Sequence, residues 1–297
     1  MSPLSASLRP GSVLALSLLL TACSAPATTD QDTAGERVDA GGAVSFGHIH
    51  DLGLNPAEGR VYVATHHGLY FLEGKMAHPA GEARYDTMGF TVVGPDTFLA
   101  SGHPAPDDDA PANLGLLRST DAGETWTEVS LGGQSDFHAL TAVDDKIYGL
   151  DSTTGAVKHS ADGGSTWREM AVIQARDIDA DPSSPERVLA TTADGLAISE
   201  DAGASFRPAE SQPPKPLVVI DHLPGTTDTS STVVGLDAAG VLWRTGGGGW
   251  VSAGPENGAP EAFTAVDEDT YLAAFNMVVY RTEDGGRSWE SISAAQD

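Results

Sequence analysis

From about residue 46 onward the chain alternates short apolar runs with clusters of Gly, Pro, Asn and Asp, and the runs have the length of single β-strands. Residues 46 to 54, 60 to 65 and 68 to 73 form three such runs, broken by Asn-Pro-Ala-Glu-Gly and by His66-His67-Gly68. Residues 88 to 94, 97 to 102 and 114 to 119 repeat the arrangement, and further strand starts follow at His138, Asp177, Leu217 and Glu261. Two starts match almost residue for residue, His138-Ala-Leu-Thr-Ala-Val-Asp-Asp145 and Glu261-Ala-Phe-Thr-Ala-Val-Asp-Glu268. The pattern predicts an all-β chain built from repeated groups of strands.

The polar punctuation repeats as well. Ser119-Thr-Asp-Ala-Gly-Glu-Thr-Trp126 returns as Ser160-Ala-Asp-Gly-Gly-Ser-Thr-Trp167, as Ser199-Glu-Asp-Ala-Gly-Ala-Ser-Phe206 and as Thr282-Glu-Asp-Gly-Gly-Arg-Ser-Trp289. Asp121, Asp162 and Asp201 are spaced by about 40 residues, and Asp284 lies about two such steps further on. A worn copy, Arg244-Thr-Gly-Gly-Gly-Gly-Trp250, fills the gap without the Asp. Ser, Thr and Asp side chains bond the amides of a tight turn, Gly supplies positive φ, and Trp or Phe opens the next strand as an apolar anchor. Several strands at a period of about 40 residues are the signature of a β-propeller, in which no blade buries its faces alone. Six blades of about 42 residues account for positions 45–297. The outer strand of the first blade, near residues 75 to 80, is weakly patterned. Ring closure therefore stays open between that arrangement, with residues 289 to 293 as the last outer strand, and a strand donated by residues 43 to 46.

The four boxes resemble the Asp-box, or BNR, repeat of sialidases and of many propellers that are not sialidases. The resemblance implies a six-bladed β-propeller in which Asp121, Asp162, Asp201 and Asp284 are structural, and it is specific for fold rather than for function. Sialidases of this fold use three arginines, a Tyr–Glu pair and an Asp acid/base. Here Arg118, Arg244 and Arg281 sit on third strands just before the boxes, Tyr148 and Tyr271 start second strands, and only Asp51 falls where a catalytic residue would be expected. The His48-Ile-His50 start and the Ala64-Thr-His-His-Gly-Leu69 loop are similar to those of a group of bacterial Asp-box lipoproteins often labelled glycosyl hydrolases.

The start of the chain is of another kind. Arg9, an apolar stretch from Val13 to Leu20 and Leu20-Thr-Ala-Cys23 look like a lipoprotein signal, with residues 1–22 removed and Cys23 lipidated. The apolar run is too short to span a bilayer, whereas two or three acyl chains would anchor the protein stably to an extracytoplasmic membrane surface. Residues 23–44, rich in Ala, Thr, Asp and Gly, read as a disordered tether. Cys23 is the only cysteine, which removes disulfides and cysteine metal sites from consideration. The net charge of −26 becomes about −27 once Arg9 is lost, which disfavours nucleic acid and favours cations.

In a four-stranded blade the inner strand starts on one face and the loop between the second and third strands returns to it, while the box turns lie on the opposite face. His50, Met88, His138, Asp177, Leu217 and Glu261 occupy equivalent starts, and His48 shares a strand face with His50. The second loops add His66, His67, His103, Asp151, Asp237 and Asn276 to the same rim. Six of nine histidines thus converge there, leaving His78, His159 and His222 outside. Imidazoles with a thioether and carboxylates form a transition-metal ligand set, and a His/Met mixture leans to copper, while His alone would suit Zn, Ni or Cu(II). The candidate metal ligands are His48, His50, His66, His67, Met88, His103 and His138, with Asp51, Asp151, Asp177 and Glu261 as an acidic rim.

Three functions stay open at this point: a membrane-tethered monomer binding a transition metal, a scaffold for an envelope protein, and a glycan hydrolase using a pair such as Asp177 and Glu261. The residues 107 to 109, three aspartates in a Pro-rich insertion, suit either a solvated loop or Ca²⁺.

Overall fold

The apolar runs become strands because each is buried between neighbours, and the strands group as the repeat requires. A computed structural model describes residues 46–223 and 231–295. Cys23, the signal segment and the tether lie outside the described residues. Each of six antiparallel sheets is built from four consecutive strands. Blade one holds β1 (Ile49–Leu54), β2 (Val61–Thr65), β3 (Gly68–Glu73) and β4 (Met76–Pro79); blade two holds β5 (Asp86–Gly94), β6 (Thr97–His103), β7 (Leu116–Ser119) and β8 (Thr127–Ser130). Blade three is β9 (Phe137–Val143), β10 (Lys146–Asp151), β11 (Ala156–Ser160) and β12 (Arg168–Val172), and blade four β13 (Ala175–Ala180), β14 (Val188–Thr192), β15 (Gly195–Ser199) and β16 (Arg207–Pro208). Blade five is β17 (Leu217–His222), β18 (Val233–Asp237), β19 (Leu242–Gly246) and β20 (Gly249–Ala253), and blade six β21 (Pro260–Ala265), β22 (Tyr271–Phe275), β23 (Val278–Thr282) and β24 (Glu290–Ser291). The fold is an all-β six-bladed β-propeller, with no helix among the described residues.

The first strands β1, β5, β9, β13, β17 and β21 pack side by side around the centre, the last against the first. Second strands lie between blades and are apolar on both faces, as sheets covered on both sides require; β2, β18 and β22 are buried along their whole length. Apolar clusters fill every blade-to-blade interface. The cluster at the seam joins Phe46, Ile49, Val63 and Tyr70 of blade one to Leu272, Ala274 and Val279 of blade six.

At the seam, β4 is the outer strand of blade one and β24 that of blade six, and no strand is exchanged between them among the described residues; positions 43–45 of the alternative closure lie outside those residues. Phe46 enters as a buried side chain rather than as strand backbone. Bonds from Ala294 N to the Lys75 carbonyl at 3.0 Å and from Lys75 Nζ to Ser291 Oγ at 3.0 Å tie the outer edges together.

The box turns are nearly identical in four blades. Ser160 Oγ donates to Asp162 Oδ1 at 2.8 Å and accepts from Gly164 N at 2.8 Å, while Thr166 N and Thr166 Oγ1 reach the same carboxylate at 2.8 and 2.6 Å. Asp121, Asp201 and Asp284 repeat the set. Gly164, at φ +89°, lies against the Leu116 side chain of the preceding blade, so the turn both reverses the chain and docks two blades. The worn copy in blade five is instead a plain two-residue hairpin, with Gly247 and Gly248 at φ +59° and +94° between paired Gly246 and Gly249.

Candidate metal centre

Every inner strand carries a β-bulge near its start, and the bulge selects which side chain is aimed at the mouth of the ring. In β1, Ile49 and Asp51 pair with the adjacent Thr65 and Ala64, leaving His50 as the extra residue. The same irregularity isolates Met88 in β5, His138 in β9, Val218 in β17 and Glu261 in β21, and a wider one sets off Arg176 and Asp177 in β13. Four of the six equivalent starts deduced from sequence are therefore the bulged residues themselves. Leu217 is displaced by one in favour of Val218, because a bulge has no signature in apolar alternation.

His50 meets His66, from the loop after β2, and Asp86, the first residue of β5. Its Nε2 lies 3.3 Å from His66 Nδ1 and 3.2 Å from Asp86 Oδ1, and His66 Nδ1 lies 2.8 Å from that oxygen. Three donor atoms with edges of this length approximate one face of a tetrahedron around a metal, for which bonds of about 2.0–2.1 Å imply edges near 3.3 Å. The His48 ring stands 4.9 Å from that of His50 and 5.8 Å from that of His66, within reach of a fourth position. Burial, followed by the neighbouring His50, lowers the His48 pKa and so favours the neutral imidazole a metal needs. Burial also pushes the Asp86 carboxyl up, but hydrogen bonds from His50 and His66 outweigh it and leave the group below its ordinary value. Met88 lines the same channel mouth as His48, His50 and His138.

A second convergence lies one blade on, where His103, Asp136 and His138 bring their ligand atoms within 4.8 Å of one another. Asp86 and Asp136 are not among the ligands expected from sequence, because Asp86 opens β5 and Asp136 lies just before β9, both ahead of the aligned starts Met88 and His138. The available signal was their position two residues before Met88 and His138, on the same strand face. His67 belongs to neither cluster; its ring approaches Gly47.

The acidic rim expected from sequence has another role. First strands expose unpaired N–H groups towards the central channel, and an uncapped edge is costly. Asp51 reaches from β1 to Phe90 N of β5 at 3.4 Å, Asp177 from β13 to Ile220 N of β17 at 2.8 Å, and Asp221 from β17 to Ala265 N of β21 at 2.8 Å. Glu261 spans the seam, accepting from Ile49 N at 3.2 Å and Met277 N at 2.8 Å. Asp151 is ion-paired to Lys158 at 2.9 Å and caps its own turn, and Asp237 does the same for Ala239 N and Val241 N. Burial pushes Asp51 and Asp221 well up and Asp177 up to about 7, against the backbone bonds that favour ionisation. These carboxylates lace the ring, and their backbone contacts compete with any acid/base role for Asp177 and Glu261.

Of the histidines left off the rim by sequence, His222 proves buried at the far end of β17, with Nδ1 2.6 Å from Asp179 Oδ2. His78 stacks on Phe71 and His159 on Tyr148. Arg118 donates to the Gly163 carbonyl of the next box at 3.0 Å, as a brace between blades. The aspartates 107 to 109 lie on an exposed loop.

The fold and site define a six-bladed β-propeller with Asp-box turns and a histidine-bearing mouth. No family model matches the chain, and no curated protein does. Solved structures share its fold at low identity. The gluconolactonase XC5397 of Xanthomonas campestris aligns with a TM-score of 0.61 and 12% identity over 80% of this chain and 86% of its own. YCF48 bound to a D1 peptide aligns with a TM-score of 0.53 and 13% identity over 84% of this chain and 82% of its own. The GH74 enzyme of Niastella koreensis aligns with a TM-score of 0.58 and 14% identity over 86% of this chain but 46% of its own. At such identity the likeness is one of fold.

Proposed function

We propose that this protein is an extracytoplasmic propeller, anchored to a bacterial membrane through lipidated Cys23, that holds a transition metal ion at its histidine-bearing mouth. The observation that carries the reading is the convergence of His50 Nε2, His66 Nδ1 and Asp86 Oδ1 at 2.8 to 3.3 Å, with His48 beside them. The bulge in β1 aims His50 at His66 of the β2–β3 loop and at Asp86 of β5, so two imidazoles and one carboxylate from three separate elements converge without an ion. Copper is favoured because Met88 offers a soft sulfur at the same mouth, which Cu(I) prefers and Zn(II) does not need. The acidic surface attracts cations to that mouth.

Competitive titration against a chromophoric chelator tests this. Met88→Leu is expected to weaken Cu(I) by about tenfold or more and to leave Zn(II) unchanged. Equal affinities for Cu(I) in the two proteins would remove copper as the favoured ion, and no competition by any metal would remove the reading itself. Scaffolding of an envelope protein would then be taken up by pull-down, and turnover of aryl glycosides would test a glycan hydrolase.

A further inference from the structure

The convergence on blade three is chemically complete in itself. Asp136 Oδ2 lies 2.7 Å from His138 Nε2 and 3.5 Å from His103 Nε2. The carboxylate is 3% exposed, and burial pushes it up, yet hydrogen bonds from His138 and Ser152 leave it below its ordinary value. It is firmly oriented: Ser152 Oγ donates to Oδ2 at 2.5 Å, Ser152 N donates to the Asp136 carbonyl at 2.8 Å, and Asp136 N donates to Asp151 Oδ1 at 3.3 Å. Its other oxygen, Oδ1, is buried without a hydrogen-bond partner.

His103 is anchored through Nδ1, whose N–H donates to the Ala112 carbonyl at 2.9 Å. In the neutral imidazole that bond puts the lone pair on Nε2, 3.5 Å from a carboxylate oxygen, and a cation between these two acceptors satisfies both. Both imidazoles are partly exposed, at 38% and 39% for their side chains, so an ion could enter and leave. His138 also borders a groove of about 930 Å³ across blades three to five, lined by Leu150, Ile173, Leu217 and Val218.

We propose that His103, Asp136 and His138 form a second site for a divalent ion of the zinc or copper(II) type, separate from the one at His50, His66 and Asp86. Two imidazoles and one carboxylate leave at least one position for an exchangeable ligand, as in sites where the metal acts on a bound molecule rather than holding the fold. The two sites are neighbours, since Asp86 of β5 and His103 of β6 are cross-strand partners. The second site rests on the same reading of the mouth as metal-binding but shares no ligand with the first.

The test is the number of Zn(II) ions bound by the untagged protein at equilibrium with buffered free metal, measured in wild type, in His103→Ala/His138→Ala and in His50→Ala/His66→Ala. Two ions in wild type and one in each double variant is the expected result, with the ion at the affected site weakened by about 100-fold or more. One ion in wild type that survives in His103→Ala/His138→Ala and is lost in His50→Ala/His66→Ala would overturn the second site and leave the first. One ion with the reverse pattern would uphold the second site and overturn the first, and none would overturn both. Thermal unfolding of each variant controls for folding, and His103→Gln with His138→Gln, which keep polar side chains, repeat the measurement if an alanine pair fails to fold.

Discussion

On the box face, Asp162 and Asp284 are lowered to about 2 by hydrogen bonds from Thr166 and Ser288; in the channel, Asp177 is pushed up to about 7 by burial. All three accept backbone N–H groups, so the bonds alone do not set the direction. Water does. The box turns lie at the surface, where the ionised form costs little and every bond to it counts, whereas the channel aspartate is half-buried in the wall of the ring, where the ionised form loses hydration. The histidine mouth is a third case, in which Asp86 is half-buried and Asp136 buried, and burial is outweighed by imidazoles, joined at Asp136 by the Ser152 hydroxyl, rather than by backbone. The box repeats from blade to blade, the channel caps repeat loosely, and the mouth does not repeat at all. Blades one and three carry imidazoles and blade two a thioether, Met88, at positions that blades four to six fill with Arg176, Val218 and Glu261. What recurs in the repeat is scaffold, and the departures from it mark where a ligand is to be sought.

Three changes would break or sharpen that contrast. Gly164→Val should have the largest effect, because it puts a branched side chain at φ +89° and into Leu116 of the neighbouring blade; a loss of about 3 kcal/mol or more is expected in denaturant unfolding. Ser160→Ala removes the acceptor for Gly164 N, a buried bond, and should cost about 1–3 kcal/mol with metal affinity unchanged. If Ser160→Ala also weakened metal binding, the two faces could not be treated as independent.

Asp177→Asn shows itself through the pH dependence of stability. The folded-state pKa of Asp177 is raised to about 7 from an ordinary 3.8, so the folded state holds its proton longer than the unfolded state. This group therefore lowers stability progressively as pH rises from 3.8 to about 7, with no further change above. The box carboxylates act in the opposite sense and in a lower window. Their depressed pKa values add stability as pH rises from about 2 to 3.8, and that stability is lost on acidification. Thermal unfolding of Asp177→Asn across pH 4 to 7 should show a flatter decline than wild type, and parallel curves would mean that channel water ionises Asp177 freely.

The scaffold was far more legible than the mouth. Ser, Asp and Gly at fixed offsets around each box specify a turn locally, so four copies revealed both the period and the blade count. His50, Met88, His138 and Glu261 could be aligned because their strands resemble one another, although nothing in the alternation announces the bulges that aim them. Asp86 and Asp136 are hard to read from sequence because a carboxylate at or just before the start of a strand looks like an ordinary turn residue, and imidazoles of the preceding blade, His50 and His66 for Asp86 and His103 for Asp136, complete each cluster. The burial of His222 is illegible in the sequence, since its partner Asp179 comes from the preceding blade.

The most direct test of the account is metal analysis by mass spectrometry of the untagged protein after exposure to Cu(I), Cu(II) and Zn(II), beside His50→Ala/His66→Ala. Near-stoichiometric metal in wild type, lost from the site in the variant while thermal unfolding is unchanged, is the predicted result. Absence of bound metal at micromolar free concentrations, or equal retention in the variant, would contradict it.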